Sequence, residues 1–244
     1  MPDTHILTSP GSRIAMTVEA ACWYDIVLSG SLQMVPVTAS TGPAAKRSAV
    51  GIIASAGGIP ALLDLLPPLP PSIPFPIIIA QHLPAALPSN LPAILGYRVD
   101  LPVKWAEAGE RPRAGTIYLL PPGCEVAVRQ DGFAITPLPP SSSSWLACPD
   151  ILLRSLAERY GAGAVGIVLS GMLAAGIAGL RAIRDRGGVI MAQTVGSASF
   201  FDMPVGAIDL GKAELVLSPT RMAEALVVLA QQWEPAGVHC RGGG

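Results

Sequence analysis

The sequence predicts an α/β fold with three layers, in which a doubly wound, mainly parallel sheet carries helices on both faces and a short antiparallel hairpin. Short apolar runs of strand length alternate with helical segments from residue 48 onward. These runs are apolar throughout rather than at every second position, which is typical of parallel strands buried on both faces. In mid-chain, the turn Gln130-Asp131-Gly132 separates two shorter runs and indicates the hairpin.

The first half of the predicted domain begins with a strand at Ala49–Ala54, a run of small and apolar residues without charge. A glycine-rich turn follows, and Pro60 suits the first turn of an apolar helix that ends near Leu66. The pattern then repeats along the chain. Strands are expected at residues 75–81 and 116–120, loop and helix at 84–95, and hairpin strands at 125–129 and 133–135.

The second half continues the alternation. Asp150 is placed to cap a helix that runs through Tyr160, because Asp side chains accept hydrogen bonds from the N–H groups of a first helical turn. Met203-Pro204 is expected to begin a short helix, since proline is favoured at the first helical position. The remaining elements are a strand at 164–169, a helix at 177–186, a strand at 189–192 and a last helix at 220–232.

One folded domain is expected over residues 46–232, a length that can bury a substantial core. Residues 1–45 show no periodicity and end in a stretch rich in Pro, Thr, Ser and Gly, so a poorly ordered leader or linker is predicted there. Residues 233–244 are expected to form a flexible tail.

Composition and charge exclude several classes of function. Lys and Arg number 16 against 17 Asp and Glu, and the net charge of −1 does not favour binding to nucleic acid. No apolar run reaches the length of about 18 residues that a membrane helix needs, so no membrane insertion is expected. The scattered cysteines argue against a disulfide framework, so a reducing cytoplasm is expected. The four cysteines are scattered without a C-x-x-C pair, and neither a metal site nor a cofactor is predicted.

Candidate catalytic residues follow three of the predicted strands. Ser55, His82 and the turn Ser170-Gly171-Met172 each come directly after a strand, and the carboxyl ends of parallel strands share one edge of a sheet. Ser55 in a glycine-rich turn could act as a nucleophile, or it could simply cap the following helix. His82 could act as its base near neutral pH or be structural. Their pairing favours the catalytic interpretation.

A series of ordered motifs resembles the catalytic domain of the bacterial chemotaxis protein-glutamate methylesterases over about residues 48–230. The run VGIIASAGGIPAL at 50–62 is similar to the nucleophile turn of that family, S-T-G-G. The run IIAQHLP at 78–84 is similar to its histidine segment. Further similar stretches follow in family order at 106–122, 149–153, 168–172, 192–193 and 203–204.

This resemblance implies roles for individual residues. Ser55 would be the nucleophile, His82 the base, and the N–H of Met172, together with the turn at Ala56, would serve the oxyanion. The implied activity is hydrolysis of methylated glutamate, with deamidation of glutamine at similar sites. The implied partner is a methylated chemoreceptor or another signalling protein. Many family members carry an N-terminal phosphoacceptor domain, and residues 1–45 are too few to form one.

Two positions depart from the family pattern. Ala175 stands where the family has the aspartate that orients the histidine, and Ala56 stands where it has the threonine after the nucleophile. In a serine protease, replacing the orienting Asp by Asn lowers kcat by about 10⁴-fold. Asp202 is the candidate substitute acid, and its alternative interpretation is a solvated loop residue.

Three functional hypotheses follow. The chain is a carboxyl-ester hydrolase weakened by loss of the acid, or it is a catalytically impaired family member that binds a receptor or signalling protein. The third hypothesis, a nucleotide-binding domain, is disfavoured because residues 51–58 lack the G-x-G-x-x-G spacing of a dinucleotide loop.

Overall fold

The computed structural model describes residues 48–85, 88–139, 144–172, 175–210 and 213–233. The predicted leader at 1–45 and residues 234–244 of the predicted tail lie outside the described residues, and Trp233, the first residue of that tail, ends a helix. The strands are β1 (Ala49–Ala54), β2 (Ile77–Gln81), β3 (Val103–Trp105), β4 (Ile117–Leu119), β5 (Cys124–Arg129), β6 (Gly132–Pro137), β7 (Ala164–Val168), β8 (Val189–Gln193) and β9 (Leu215–Leu217). The α-helices are α1 (Gly58–Leu65), α2 (Leu91–Gly96), α3 (Cys148–Tyr160), α4 (Ile177–Asp185), α5 (Asp202–Asp209) and α6 (Pro219–Trp233).

The described strands form a parallel sheet in the order β3-β4-β2-β1-β7-β8-β9 and a separate antiparallel hairpin of β5 and β6. The predicted fold class is therefore confirmed. Every residue of β1, β2 and β7 is buried, as continuous apolar strands covered on both faces require. Sequence periodicity missed β3 and β9, because strands of three residues are too short to show a pattern.

The helices that follow the two central strands pack with different partners. The chain leaves β1 into α1, which packs against α6, and it leaves β7 into α4, which packs against α3. Since β2 and β7 flank β1 on opposite sides, the strand order reverses at β1. Such a switch point opens a crevice beyond the carboxyl ends of the strands, where ligands bind in open α/β sheets.

The register of the three central strands brings their ends to one level. Ala54 at the end of β1 pairs with Gln81 of β2, and Ile53 pairs with Val168 of β7. The next residues along each chain therefore emerge side by side at the carboxyl edge. Because neighbouring strands are about 4.8 Å apart, side chains that leave them at one level can touch.

Asp150 does not cap its own helix, and that prediction is wrong. The N-cap of α3 is Ala147, no side chain caps that helix, and Asp150 lies within its first turn. The Asp150 carboxylate instead accepts a hydrogen bond of 2.7 Å from the N–H of Gly179, in the first turn of α4. The side chain thus satisfies an otherwise unpaired N–H of the neighbouring helix and joins two helices on one side of the sheet.

No α-helix among the described residues is both long and apolar enough to cross a bilayer.

We expect Asp150→Ala to lower the free energy of unfolding by about 1 kcal/mol, the typical cost of losing a side-chain cap. Urea denaturation followed by circular dichroism measures this loss. Asp150→Asn should cost less, because its amide oxygen can still accept the Gly179 N–H. Glu158→Ala, which removes an exposed carboxylate from the same helix, is the control. An equal loss in the Asp150 and Glu158 variants would contradict the capping role.

Candidate active site

Ser55 is the first residue after β1, in a turn that leaves its hydroxyl uncommitted to the helix. Its N–H donates to the carbonyl of Ser170 at 3.0 Å, and its carbonyl accepts from the N–H of Gly58 at 3.0 Å. The N-cap of α1 is Gly57, with φ of 73°, and no side chain caps the helix. The alternative that Ser55 caps α1 is therefore wrong. The positive φ favours glycine, which lets the chain turn tightly after Ser55.

The Ser55 hydroxyl and the His82 imidazole meet at this edge. The distance from Ser55 Oγ to His82 Nδ1 is 3.2 Å. The backbone holds both residues in place, since the N–H of His82 donates to the carbonyl of Ala54 at 2.9 Å. The buried Gln81 amide donates to the carbonyls of Ser55 at 2.9 Å and His82 at 3.1 Å. One side chain thus joins the turn at Ser55 to the segment at His82.

The loop after β7 completes the junction. The Ser170 hydroxyl donates to the carbonyl of Ala56 at 2.8 Å and accepts from the N–H of Phe200 at 3.0 Å. The N–H of Ser170 donates to the side-chain oxygen of the buried Gln193 at 2.8 Å. These bonds tie the loops after β1, β7 and β8 together. The structure therefore brings together the three strand ends that the sequence singled out.

Gly171 lies where no side chain would fit. A Cβ atom there would overlap Met203 Sδ and would lie 3.1 Å from the Cβ of Ser55. The N–H of Gly171 donates to the carbonyl of Phe200 at 2.9 Å, so that donor is already used. Glycine allows the backbone to pass directly beside Ser55.

Three backbone donors near Ser55 are available to a ligand. Within the described ranges, the N–H groups of Ala56, Gly57 and Met172 have no hydrogen-bond acceptor. Ala56 and Gly57 directly follow Ser55 and precede the first turn of α1. Preorganised backbone donors of this kind stabilise an oxyanion in acyl transfer. Ala56 and Met172, which the sequence proposed for this purpose, both lie at the edge that carries Ser55.

His82 has an aromatic neighbour in place of an acidic one. The Trp145 ring stacks on the imidazole, with ring centroids 4.5 Å apart and an angle of 25° between the planes. Across the part of the chain that is described, no carboxylate forms a hydrogen bond or ion pair with the imidazole. Partial burial lowers the pKa of His82 from its usual 6.5, because desolvation disfavours the charged ring.

Neither residue considered for the acid contacts the histidine. Ala175 is buried just before Gly176, the N-cap of α4, and its methyl group cannot orient an imidazole. Asp202 is the first residue of α5, and its side chain is exposed. No hydrogen bond or ion pair joins Asp202 to His82, so its role as a substitute acid remains a prediction without a supporting contact.

Sequence reasoning missed Trp145 and the bracing glutamines. Trp145 belongs to a 3₁₀ helix at Ser144–Ala147 and directly follows a run of serines in the sequence. A tryptophan directly after such a polar stretch was the available signal. Gln81 and Gln193 end two buried strands, where the Gln81 amide nitrogen and both polar atoms of the Gln193 amide form hydrogen bonds.

We expect His82 to titrate below pH 6.5 in the folded protein. Burial stabilises the neutral ring, so the unfolded chain binds more protons than the folded one between the two pKa values, and stability falls as the pH drops through that window. NMR titration of the imidazole signals measures this midpoint, with His82→Gln to assign them among the three histidines. A midpoint at or above 6.5 would contradict the desolvation.

Comparison with known proteins identifies the family. The sequence profile described as CheB methylesterase matches residues 50–226. Protein-glutamate methylesterase/protein-glutamine glutaminase 3 of Myxococcus xanthus is 36% identical over 191 residues, covering 78% of this chain and 53% of that protein. A protein-glutamate methylesterase/protein-glutamine glutaminase of Archaeoglobus fulgidus is 33% identical over 192 residues, covering 75% of this chain and 53% of that protein.

A solved structure agrees with these sequence matches. The CheB methylesterase catalytic domain of Thermotoga maritima superposes with a TM-score of 0.68 and 27% identity, covering 75% of this chain and 98% of that domain. The chain spans about half the length of the curated relatives that it matches. On the profile match and these relatives together, the chain belongs to the CheB methylesterase family.

Proposed function

We propose that this chain is a carboxyl-ester hydrolase that removes the methyl group from methylated glutamate side chains of a protein substrate. The observation that carries the proposal is the contact of 3.2 Å between Ser55 Oγ and His82 Nδ1 at the switch point of the sheet. The names of the relatives, protein-glutamate methylesterase/protein-glutamine glutaminase, support the same ester and extend the proposal to glutamine side chains.

Acylation begins when Ser55 Oγ attacks the ester carbonyl carbon and its proton passes to His82 Nδ1. The carbonyl oxygen becomes an oxyanion, which the free N–H groups of Ala56, Gly57 and Met172 are suited to bind. The bond to the methoxy group then breaks, and methanol leaves with the proton from Nδ1. The product is a glutamyl ester on Ser55.

Water completes the cycle. His82 Nδ1 takes a proton from a water molecule, whose oxygen attacks the acyl carbon, and the bond to Ser55 Oγ breaks as that oxygen regains the proton. Glutamate with a free γ-carboxylate is released. For a glutamine substrate, ammonia takes the place of methanol in the first half of the reaction.

Because Nδ1 is the nitrogen that faces Ser55, an acid is not needed to select the tautomer of His82. Since Nδ1 must accept the serine proton, the neutral ring must carry its hydrogen on Nε2, and this is the tautomer that histidine favours in water. In the serine proteases the arrangement is reversed, so their aspartate must also enforce a tautomer. A Ser-His pair with this geometry therefore keeps its correct protonation pattern when Ala175 replaces the acid.

The surroundings of the site suit a macromolecular substrate. His82 is exposed, and large apolar side chains on the adjoining loops are 41–50% exposed: Met172, Val195, Phe200 and Phe201. Exposed apolar side chains grouped near one site are typical of a protein-binding surface. We propose the methylated helix of a chemoreceptor, or of another signalling protein, as the partner, met in the cytoplasm.

A second function, binding without turnover, is favoured by one specific observation. No carboxylate among the described residues forms a hydrogen bond or ion pair with His82, and Ala175 occupies the position that the family resemblance gives to the acid. Such a chain would keep the surface that binds the protein substrate but would not hydrolyse the ester at a useful rate. The two functions differ in whether Ser55 is consumed and regenerated, which the following experiment measures.

Ser55→Ala should lower methanol release from methylated receptor by at least about 10³-fold, because the backbone donors alone sustain only a residual rate. The variant should also lose labelling by a fluorophosphonate probe. Ser72→Ala, an exposed serine in a distant turn, is the control and should react normally. Turnover that does not depend on Ser55 would refute the serine mechanism, whereas receptor binding without any turnover in the parent chain would refute the hydrolase and establish the binding function.

Ala175→Asp should raise kcat by less than the roughly 10⁴-fold that an orienting aspartate contributes in serine proteases, because the tautomer is already correct here. The gain would come from holding the positively charged imidazole that forms during acylation. Ala175→Asn introduces a side chain of similar size without charge and is the control. Equal rates in the two variants, measured as kcat with the methylated receptor, would show that position 175 does not act through a carboxylate.

A further inference from the structure

The His82 side chain has few restraints apart from Ser55 and Trp145. Its backbone is fixed by the hydrogen bond from its N–H to Ala54, but that bond leaves the ring free to rotate. The ring is exposed, and within the described residues its hydrogen-bonding partner is Ser55 Oγ. A single hydrogen bond of 3.2 Å defines one point of the ring and leaves its plane free to swing.

The stacked indole supplies the missing restraint. A centroid distance of 4.5 Å with 25° between planes is an offset-stacked contact, in which one face of the imidazole lies against the Trp145 ring. Rotation of the imidazole out of this plane would break the stack. A half-turn about the ring axis would preserve it, and the bond from Nδ1 to Ser55 then selects the productive orientation. Together the two contacts define both plane and orientation.

The segment that carries Trp145 is fixed by the helix that follows it. It lies in the 3₁₀ helix Ser144–Ala147, which continues directly into α3. That helix begins with Cys148 and Pro149, both buried, so the segment carrying the indole is anchored in the core. Its neighbour Leu146 is 40% exposed and makes no stack with His82, which provides a matched comparison within the same turn.

We propose that Trp145 is a positioning residue that holds the His82 ring in line with Ser55, doing part of what the aspartate does in a complete triad. This inference rests on the proposed hydrolase function. The aspartate of a triad orients the imidazole, selects its tautomer and stabilises its charged form. Stacking provides the orientation, and the Nδ1 contact makes selection of the tautomer unnecessary. Only the third role, stabilisation of the positively charged imidazole, has no replacement among the contacts described for His82.

The activity test compares Trp145→Leu with Trp145→Phe and with Leu146→Ala. Trp145→Leu should lower kcat by between about 10-fold and 10²-fold, as expected when a catalytic group is misplaced by an ångström or so. KM should change little, because the reacting ring rather than the bound substrate is displaced. Trp145→Phe keeps a flat face and should retain most of kcat, and Leu146→Ala should resemble the parent. Equal loss in the Phe and Leu variants would overturn the stacking role.

A second readout does not require turnover. In the parent chain, Ser55→Ala removes the hydrogen bond to Nδ1 and should shift the NMR titration midpoint of His82. In the Trp145→Leu background the same substitution should shift it much less, because a free ring no longer keeps that bond. An equal shift in both backgrounds would overturn the proposal.

The two readouts distinguish the inference from the function on which it rests. Suppose that the effect of Ser55→Ala on the His82 titration midpoint depends on Trp145, but no methanol is released. The positioning role of Trp145 then stands and the hydrolase proposal fails. If turnover depends on Ser55 but neither kcat nor the coupling responds to Trp145→Leu, the hydrolase stands and the positioning role fails. Thermal unfolding of each variant shows whether a loss merely reflects a damaged fold.

Discussion

The pairing register between β1 and its two neighbours is the constraint on which the site depends. Ala54 lies opposite Gln81 and Ile53 lies opposite Val168, so the chain segments that follow leave the sheet at the same level. A slip of one residue in β2 would turn the imidazole to the opposite face, because successive strand residues alternate in direction. The apolar residues that cover both faces of these strands fix the register, and the buried core therefore sets the distance between Ser55 and His82.

Local hydrogen bonds then fix the position of the loops that the strand register brings together. The amide of Gln81 and the hydroxyl of Ser170 each link the turn at Ser55 and Ala56 to a different neighbouring segment. Both side chains are buried, where an unmade hydrogen bond is costly, so the turn has little freedom to move. The imidazole is restrained differently, by one polar contact at its edge and an aromatic contact on its face. The site thus combines a tightly held serine with a histidine whose aromatic neighbour comes from a separate part of the chain.

The sequence predicted the sheet and the meeting of its strand ends because both follow from local patterns. Continuous apolar runs marked the buried strands, and the positions of Ser55 and His82 directly after them implied a shared edge. The carboxylate of Asp150 and the indole of Trp145 could not be placed in this way. Each acts on a residue distant in sequence, and nothing in the neighbouring residues shows where such a side chain will reach. The sequence pattern predicts which strand ends meet, whereas the contacts of side chains that bridge separate elements can be found only from the three-dimensional structure.

The hydrogen bond from Gly179 to Asp150 also connects parts of the site that are distant in sequence. Asp150 lies one turn beyond the segment that carries Trp145, and Gly179 lies one turn beyond Ala175. The hydrogen bond therefore links the helix that follows Trp145 to the helix that follows Ala175. Substitutions at these two places share a structural element, so their energetic effects need not add. An aspartate placed at position 175 would lie just before the first turn of α4, and that turn is bonded to the helix that continues from the segment carrying the indole.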